Sequence, residues 1–93
     1  MELAVSVHPR ICRRNPEISA DDVLDAWENC LRSSHRSGGE FEDYVAIGID
    51  KKGRIIEMVA TQKPDNSWLI YHAFTPPTKK VLQELGLIER SDK

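Results

Sequence analysis

Residues 42–74 hold three alternating apolar segments separated by two stretches of turn chemistry: EDYVAIGID runs into DKKGR, RIIEMVATQ runs into KPDN, and SWLIYHAF stops short of Pro76-Pro77. Segments of this length and composition predict strands, and connections this short force neighbouring strands to run antiparallel. The chain therefore carries a β-meander, and in 93 residues few elements remain to cover its two faces. Helical segments before and after it supply the covering. The expected order is β-α-α-β-β-β-α, a two-layer α+β domain with a three- to four-stranded antiparallel sheet and helices packed on one face. The face left incompletely covered is where a site is expected.

The flanking elements follow from local chemistry. Glu2–Ser6 alternates and reads as a short strand. Pro9 suits a first helical position, so PRICRR reads as a short helix that ends at Asn15-Pro16. Ser19 is a good N-cap, with Asp21 and Asp22 in the first turn where the helix dipole favours anions. Val23, Leu24, Trp27, Cys30 and Leu31 then form one helical stripe, which carries the second helix to Ser33-Ser34 and puts Cys30 in the core. SSHRSGGE reads as a loop.

Within the meander, Val45, Ile47 and Ile49 share a face, as do Ile56, Met58 and Ala60. In the third strand Tyr71 alternates with Ile70 and His72, which places Tyr71 and His72 on opposite faces. Thr78 opens a last helix with Val81, Leu82 and Leu85 on its apolar stripe, and Gly86 ends it. The domain is expected to span residues 1–88, with 89–93 as a polar tail.

Composition narrows the function classes. The formal net charge is −2, which argues against tight, non-specific nucleic-acid binding. The charges are segregated, however. Arg10, Arg13 and Arg14 form one basic cluster and His35-Arg36 another, and both are candidate RNA contacts. No apolar run reaches the length of a membrane span, and the N-terminus lacks the pattern of a signal peptide, so a cytoplasmic protein is expected. Cys12 and Cys30 are too few for a metal knuckle or a disulfide framework and read as reduced thiols. No phosphate-binding glycine loop or metalloprotease motif is present, so neither a metal nor a cofactor is expected.

Three residues carry the candidate chemistry. Glu57 is a lone acid in an otherwise apolar strand, and reads as an outward charge or as part of a site. His72 reads as a packed histidine at a sheet end or as a general acid or base. Arg54, in the turn before Glu57, is expected on their face. An acid, a base and a phosphate-binding cation on one platform are the parts that RNA cleavage by 2′-hydroxyl attack requires.

As an ordered set these segments resemble the BrnT-type toxins of bacterial type II toxin–antitoxin modules, and more broadly the small RelE-like domains. The resemblance rests on Ile18-Ser19-x-Asp21-Asp22, Tyr44-x-Ala46-Ile47-Gly48 and Gly53-Arg54-Ile55-Ile56-x-Met58-Val59, and spans roughly residues 16–85. It implies a RelE-like fold, metal-independent mRNA cleavage and a complex with a cognate DNA-binding antitoxin. It would place Arg54 on the scissile phosphate. His72 has no clear counterpart in the family; from the chemistry of the residues themselves Glu57 or His72 is expected to transfer protons, and Arg13 and Arg14 to hold the RNA backbone. The sequence departs from the family pattern at Pro16-Glu17, at Phe74-Thr75-Pro76 and in a final helix whose only bases are Lys79 and Lys80. A non-catalytic protein-binding module of the same fold, or one that forms a homodimer, stays open beside the enzyme.

Overall fold

The computed structural model describes residues 4–36 and 42–88. Its elements in chain order are β1 (Val5–Val7), α1 (Arg10–Arg14), α2 (Ala20–Glu28), β2 (Cys30–Arg36), β3 (Glu42–Ile49), β4 (Ile55–Gln62), β5 (Trp68–Phe74) and α3 (Lys79–Glu84). They form an α+β fold around one five-stranded sheet in the order β1-β5-β4-β3-β2. The expected meander is its centre, β3, β4 and β5 running antiparallel in sequence. Among the expected elements, the Gly38-Gly39 part of the loop, the start of the first strand at Glu2 and the tail at 89–93 lie outside the described residues.

The expected antiparallel sheet of three to four strands is corrected at both edges. On one side β1 pairs parallel with β5, which makes the sheet mixed. On the other, the segment assigned to the end of the second helix and to a loop is β2, antiparallel to β3. The helix ends at Asn29, which leaves helical geometry (φ −105°, ψ 45°); its backbone N–H makes the last i→i−4 bond to the Asp25 carbonyl and its side-chain Nδ2 donates to the same oxygen, 2.9 Å each. Beyond it, Arg32, Ser34 and Arg36 alternate with Ser33 and His35, opposite Ile47, Val45 and Asp43 in turn. This is the alternation of an edge strand written in polar residues, so an apolar stripe cannot detect it. Cys30, expected in the core, is exposed, and Leu31 is 57% exposed.

Helices cover both faces of the sheet, not one. Ile11 of α1 and Val23 and Ala26 of α2 pack with Ala46, Ile56, Met58, Ala60, Ile70 and Ala73. On the opposite face, Val81 of α3 and the following Leu85 pack on Val45, Ile47 and Val59. The even-numbered residues of β4 thus face α1 and α2, and the odd ones face α3. Gly48 permits the close approach of α2: a Cβ there would fall 1.8 Å from the Ala26 carbonyl oxygen.

Both predicted turns are present. Between β3 and β4, Asp50 Oδ1 accepts from the backbone N–H of Lys52 (3.0 Å) and Arg54 (2.8 Å), with Gly53 at φ 80°. Between β4 and β5, Asp65 Oδ1 accepts from Ser67 N–H and hydroxyl, with Asn66 at φ 70°. The α2 N-terminus carries a capping box in which Ser19 and Asp22 exchange hydrogen bonds of 3.1 Å.

Candidate active site

The geometry of the site begins with a β-bulge. The β4–β5 register shifts between Val59, opposite His72, and Ala60, opposite Ile70, so Tyr71 has no partner of its own. A bulge of this kind turns two consecutive side chains towards one face. Tyr71 and His72, expected on opposite faces, both lie on the α3 side.

Glu57 faces them from β4. Its side chain is 5% exposed and its Oε2 lies 2.7 Å from His72 Nε2. Its Oε1 accepts from the Thr78 backbone N–H (2.7 Å) and hydroxyl (2.9 Å). With both oxygens engaged, the carboxylate acts as an orienting group. It favours the proton on His72 Nε2, which leaves Nδ1 as the basic nitrogen. His72 itself is 43% exposed. Its Nδ1 has no hydrogen-bond partner among the described residues.

The pair opens into a cleft of about 320 Å³ between β5, α1 and α3, whose rim carries the cations Arg10, Arg36 and Lys80. Arg10 is held in place by its Nε, which donates to the Tyr71 carbonyl (3.1 Å), with the guanidinium carbon 5.7 Å from the Tyr71 ring centre. Arg36 is committed to Glu84 through two 2.8 Å bonds, which hold the Glu84 carboxyl below its usual range. Tyr71 donates its hydroxyl to Asp43 Oδ2 at 2.8 Å. Burial first, and then the Asp43 carboxylate, raise the phenol so that it keeps its proton.

The α1 helix reaches the site because it takes over the outer edge of β5 where β1 ends. His8 N–H donates to the Ile70 carbonyl (2.9 Å), Arg10 to Tyr71 and Asn15 Nδ2 to Ala73 (3.2 Å). The carbonyls that an edge would expose are satisfied by α1 and its flanks, which brings Arg10 and Arg14 beside His72.

The expected trio does not assemble. Glu57 and His72 meet, but Arg54 is absent from their cleft. It lies three residues before Glu57, and an odd spacing crosses the sheet. Its guanidinium bonds Asp50 (2.9 Å), Asp22 (2.8 Å) and the Glu17 carbonyl (2.9 Å), tying the β3–β4 turn to the start of α2.

The expected RNA contacts also divide. Arg10 and Arg36 line the cleft, and Arg14 lines a smaller hollow next to it. Arg13 is exposed and lines neither. His35 projects to the opposite face, its ring 4.9 Å from Tyr44 in an aromatic row that continues to Trp68 and Trp27.

Tyr71, Thr78 and Lys80 were missed as site residues. Thr78 was legible only as a helix cap, yet a buried acid in a strand requires donors, and a cap threonine directly after the Pro76-Pro77 pair is one.

Among the described residues no group of His, Cys, Asp or Glu could hold a metal ion, and no helix is long and apolar enough to cross a membrane. No protein-family model matches the chain, and neither a curated protein nor a solved structure is significantly similar to it.

Proposed function

We propose that the protein is a metal-independent endoribonuclease, the toxin of a toxin–antitoxin pair, with His72 as its base. The observation that carries this reading is the 2.7 Å Glu57–His72 pair at the floor of a cation-rimmed cleft. His72 Nδ1 takes the proton of a ribose 2′-hydroxyl, and the 2′-oxygen attacks the adjacent phosphorus. Arg10 stabilises the negative charge that builds on the phosphate oxygens, in the role expected of Arg54. The bond from phosphorus to the 5′-oxygen breaks, and that oxygen takes the Tyr71 proton as the hydroxyl turns from Asp43. A 2′,3′-cyclic phosphate and a 5′-hydroxyl leave, and proton exchange with solvent resets both groups.

The toxin part rests on the resemblance of the ordered motifs, and the cleavage chemistry on the cleft. A cognate DNA-binding antitoxin that covers the cleft follows from the same reading.

The test is incubation of purified protein with RNA in the presence of a chelator, with analysis of the product ends. Cyclic phosphate ends from the wild type and intact RNA from His72→Ala support the reading; intact RNA from both overturns it. A non-catalytic binding module is the alternative, and the specific observation in its favour is the exposed β2 edge with Leu31. In that case His72→Ala would leave both toxicity and partner binding unchanged.

A further inference from the structure

Among the described residues a second depression meets the cleft at His72. The second, about 40 Å³, lies on the α1 side and shares Arg10, Tyr71 and His72 with the first. Its own polar lining is Arg14 and Asn15. Arg10 and Arg14 are four residues apart on α1. They therefore lie on one helix face, about 6 Å apart along the axis.

Asn15 holds this end of α1 against β5 through the Ala73 carbonyl, and Arg10 is anchored through Nε alone. The remaining guanidinium nitrogens of Arg10, and all of those of Arg14, have no hydrogen-bond partner among the described residues. Arg36, by contrast, is already neutralised by Glu84.

We infer that Arg14, one helical turn from Arg10 on the same face of α1, is a second phosphate subsite, which takes the phosphate next to the one that Arg10 holds over His72. The substrate class is then a single RNA strand laid from the α3 side of His72 to the α1 side, contacted at two successive phosphates. This rests on the ribonuclease reading for the identity of the strand, while its test requires no cleavage. Two cations separated by one helical turn can track successive backbone charges, and sequence plays no part in such contacts. Arg13 belongs to neither depression and makes no such contact.

The experiment is fluorescence anisotropy with a labelled single-stranded hexanucleotide of 2′-O-methyl RNA, which lacks the nucleophile and stays intact. Dissociation constants are measured across a salt series for the wild type, Arg14→Ala, Arg14→Lys and Arg13→Ala. Arg14→Ala is expected to weaken binding several-fold and to flatten the log–log salt slope by about 0.7, the value for one phosphate on a single strand. Arg14→Lys keeps the slope and Arg13→Ala binds as the wild type does. Equal losses from Arg13→Ala and Arg14→Ala, or no loss from Arg14→Ala, overturn the subsite, as does a wild type that fails to bind. A wild type that binds with the Arg14 dependence but never cleaves 2′-hydroxyl RNA retains the subsite and overturns the ribonuclease.

Discussion

Glu57 and His72 meet across the β4–β5 pair at 2.7 Å, and the carboxylate spends its other oxygen on Thr78 at the start of α3. The acid is therefore an anchor between two elements, and its effect on chemistry passes through the imidazole. His72→Ala is expected to lower RNA cleavage by about 10²–10⁴-fold, the usual worth of a general base. Glu57→Gln presents an amide that can donate to Nε2, which moves the imidazole proton to Nδ1 and removes the base. Its kcat should fall by about 10²-fold or more with KM little changed. Single-turnover kinetics on a fluorogenic oligonucleotide separate the two constants.

Asp50 and Arg54 act at the same end of β4 but on the opposite face of the sheet, and their substitution tests the separation of stability from chemistry. The Asp50 side chain is fully buried and accepts two backbone N–H groups besides Arg54. Asp50→Ala leaves those two backbone donors without an acceptor and takes from Arg54 one of its two carboxylates, and should cost about 3 kcal/mol in urea unfolding. Arg54→Ala should lower the melting temperature while the folded fraction keeps wild-type RNA cleavage. Loss of cleavage in well-folded Arg54→Ala would return Arg54 to the site.

These two faces of one strand show what a sequence reveals and where it stops. The meander was legible because its alternation is written in apolar residues and its turns in Asp, Asn and Gly. That Glu57 and His72 share a face was legible in outline, but not that they pair. The face of Arg54 was misjudged because it lies three positions before Glu57, an odd offset, and not two. Tyr71 was set on the wrong face because a bulge alters parity without any mark of its own. Strand β2 was hidden because Cys30 and Leu31 extend a helical stripe, while the contacts that fix the strand, Arg32 to the Leu85 carbonyl and Arg36 to Glu84, join residues about fifty positions apart.

Acid should unfold the protein through the same cluster. Asp22 is held below the ordinary aspartate value chiefly by the Ser19 backbone N–H, against burial, with Lys52 assisting. Burial alone would raise Asp50, but the Arg54 backbone and side chain outweigh it and lower its pKa. In both cases the folded value is depressed, so the unfolded chain binds more protons in the window between the two. The stability they contribute is complete above about pH 4 and is lost as pH falls through the folded values. Urea midpoints measured from pH 6 to pH 2 should be flat at first and then drop. Asp50→Ala should show a shallower drop.

Gly48→Ala tests the packing of α2 on β3. The obstructing atom is the backbone carbonyl of Ala26, which has no rotamer to escape into. Accommodating the methyl requires α2 to lift from the sheet, at a cost of about 3 kcal/mol or more. Unfolding by urea, followed through the Trp27–Trp68 pair by fluorescence, reads this directly.

Tyr71 supplies the sharpest test of the proton assignments. Burial and the Asp43 carboxylate raise the phenol, so Tyr71 holds a proton and cannot abstract one from the 2′-hydroxyl; to protonate a departing 5′-oxygen its hydroxyl has to turn from Asp43. Tyr71→Phe should lower cleavage of ordinary RNA by about 10²-fold. A substrate whose leaving group is p-nitrophenolate departs without a proton, and there Tyr71→Phe should cost nothing. His72→Ala should remain as damaging on that substrate as on RNA, because the attacking 2′-hydroxyl still has to lose its proton. An equal loss from Tyr71→Phe on both substrates would remove Tyr71 from proton transfer and leave it as a support for Asp43 and Arg10.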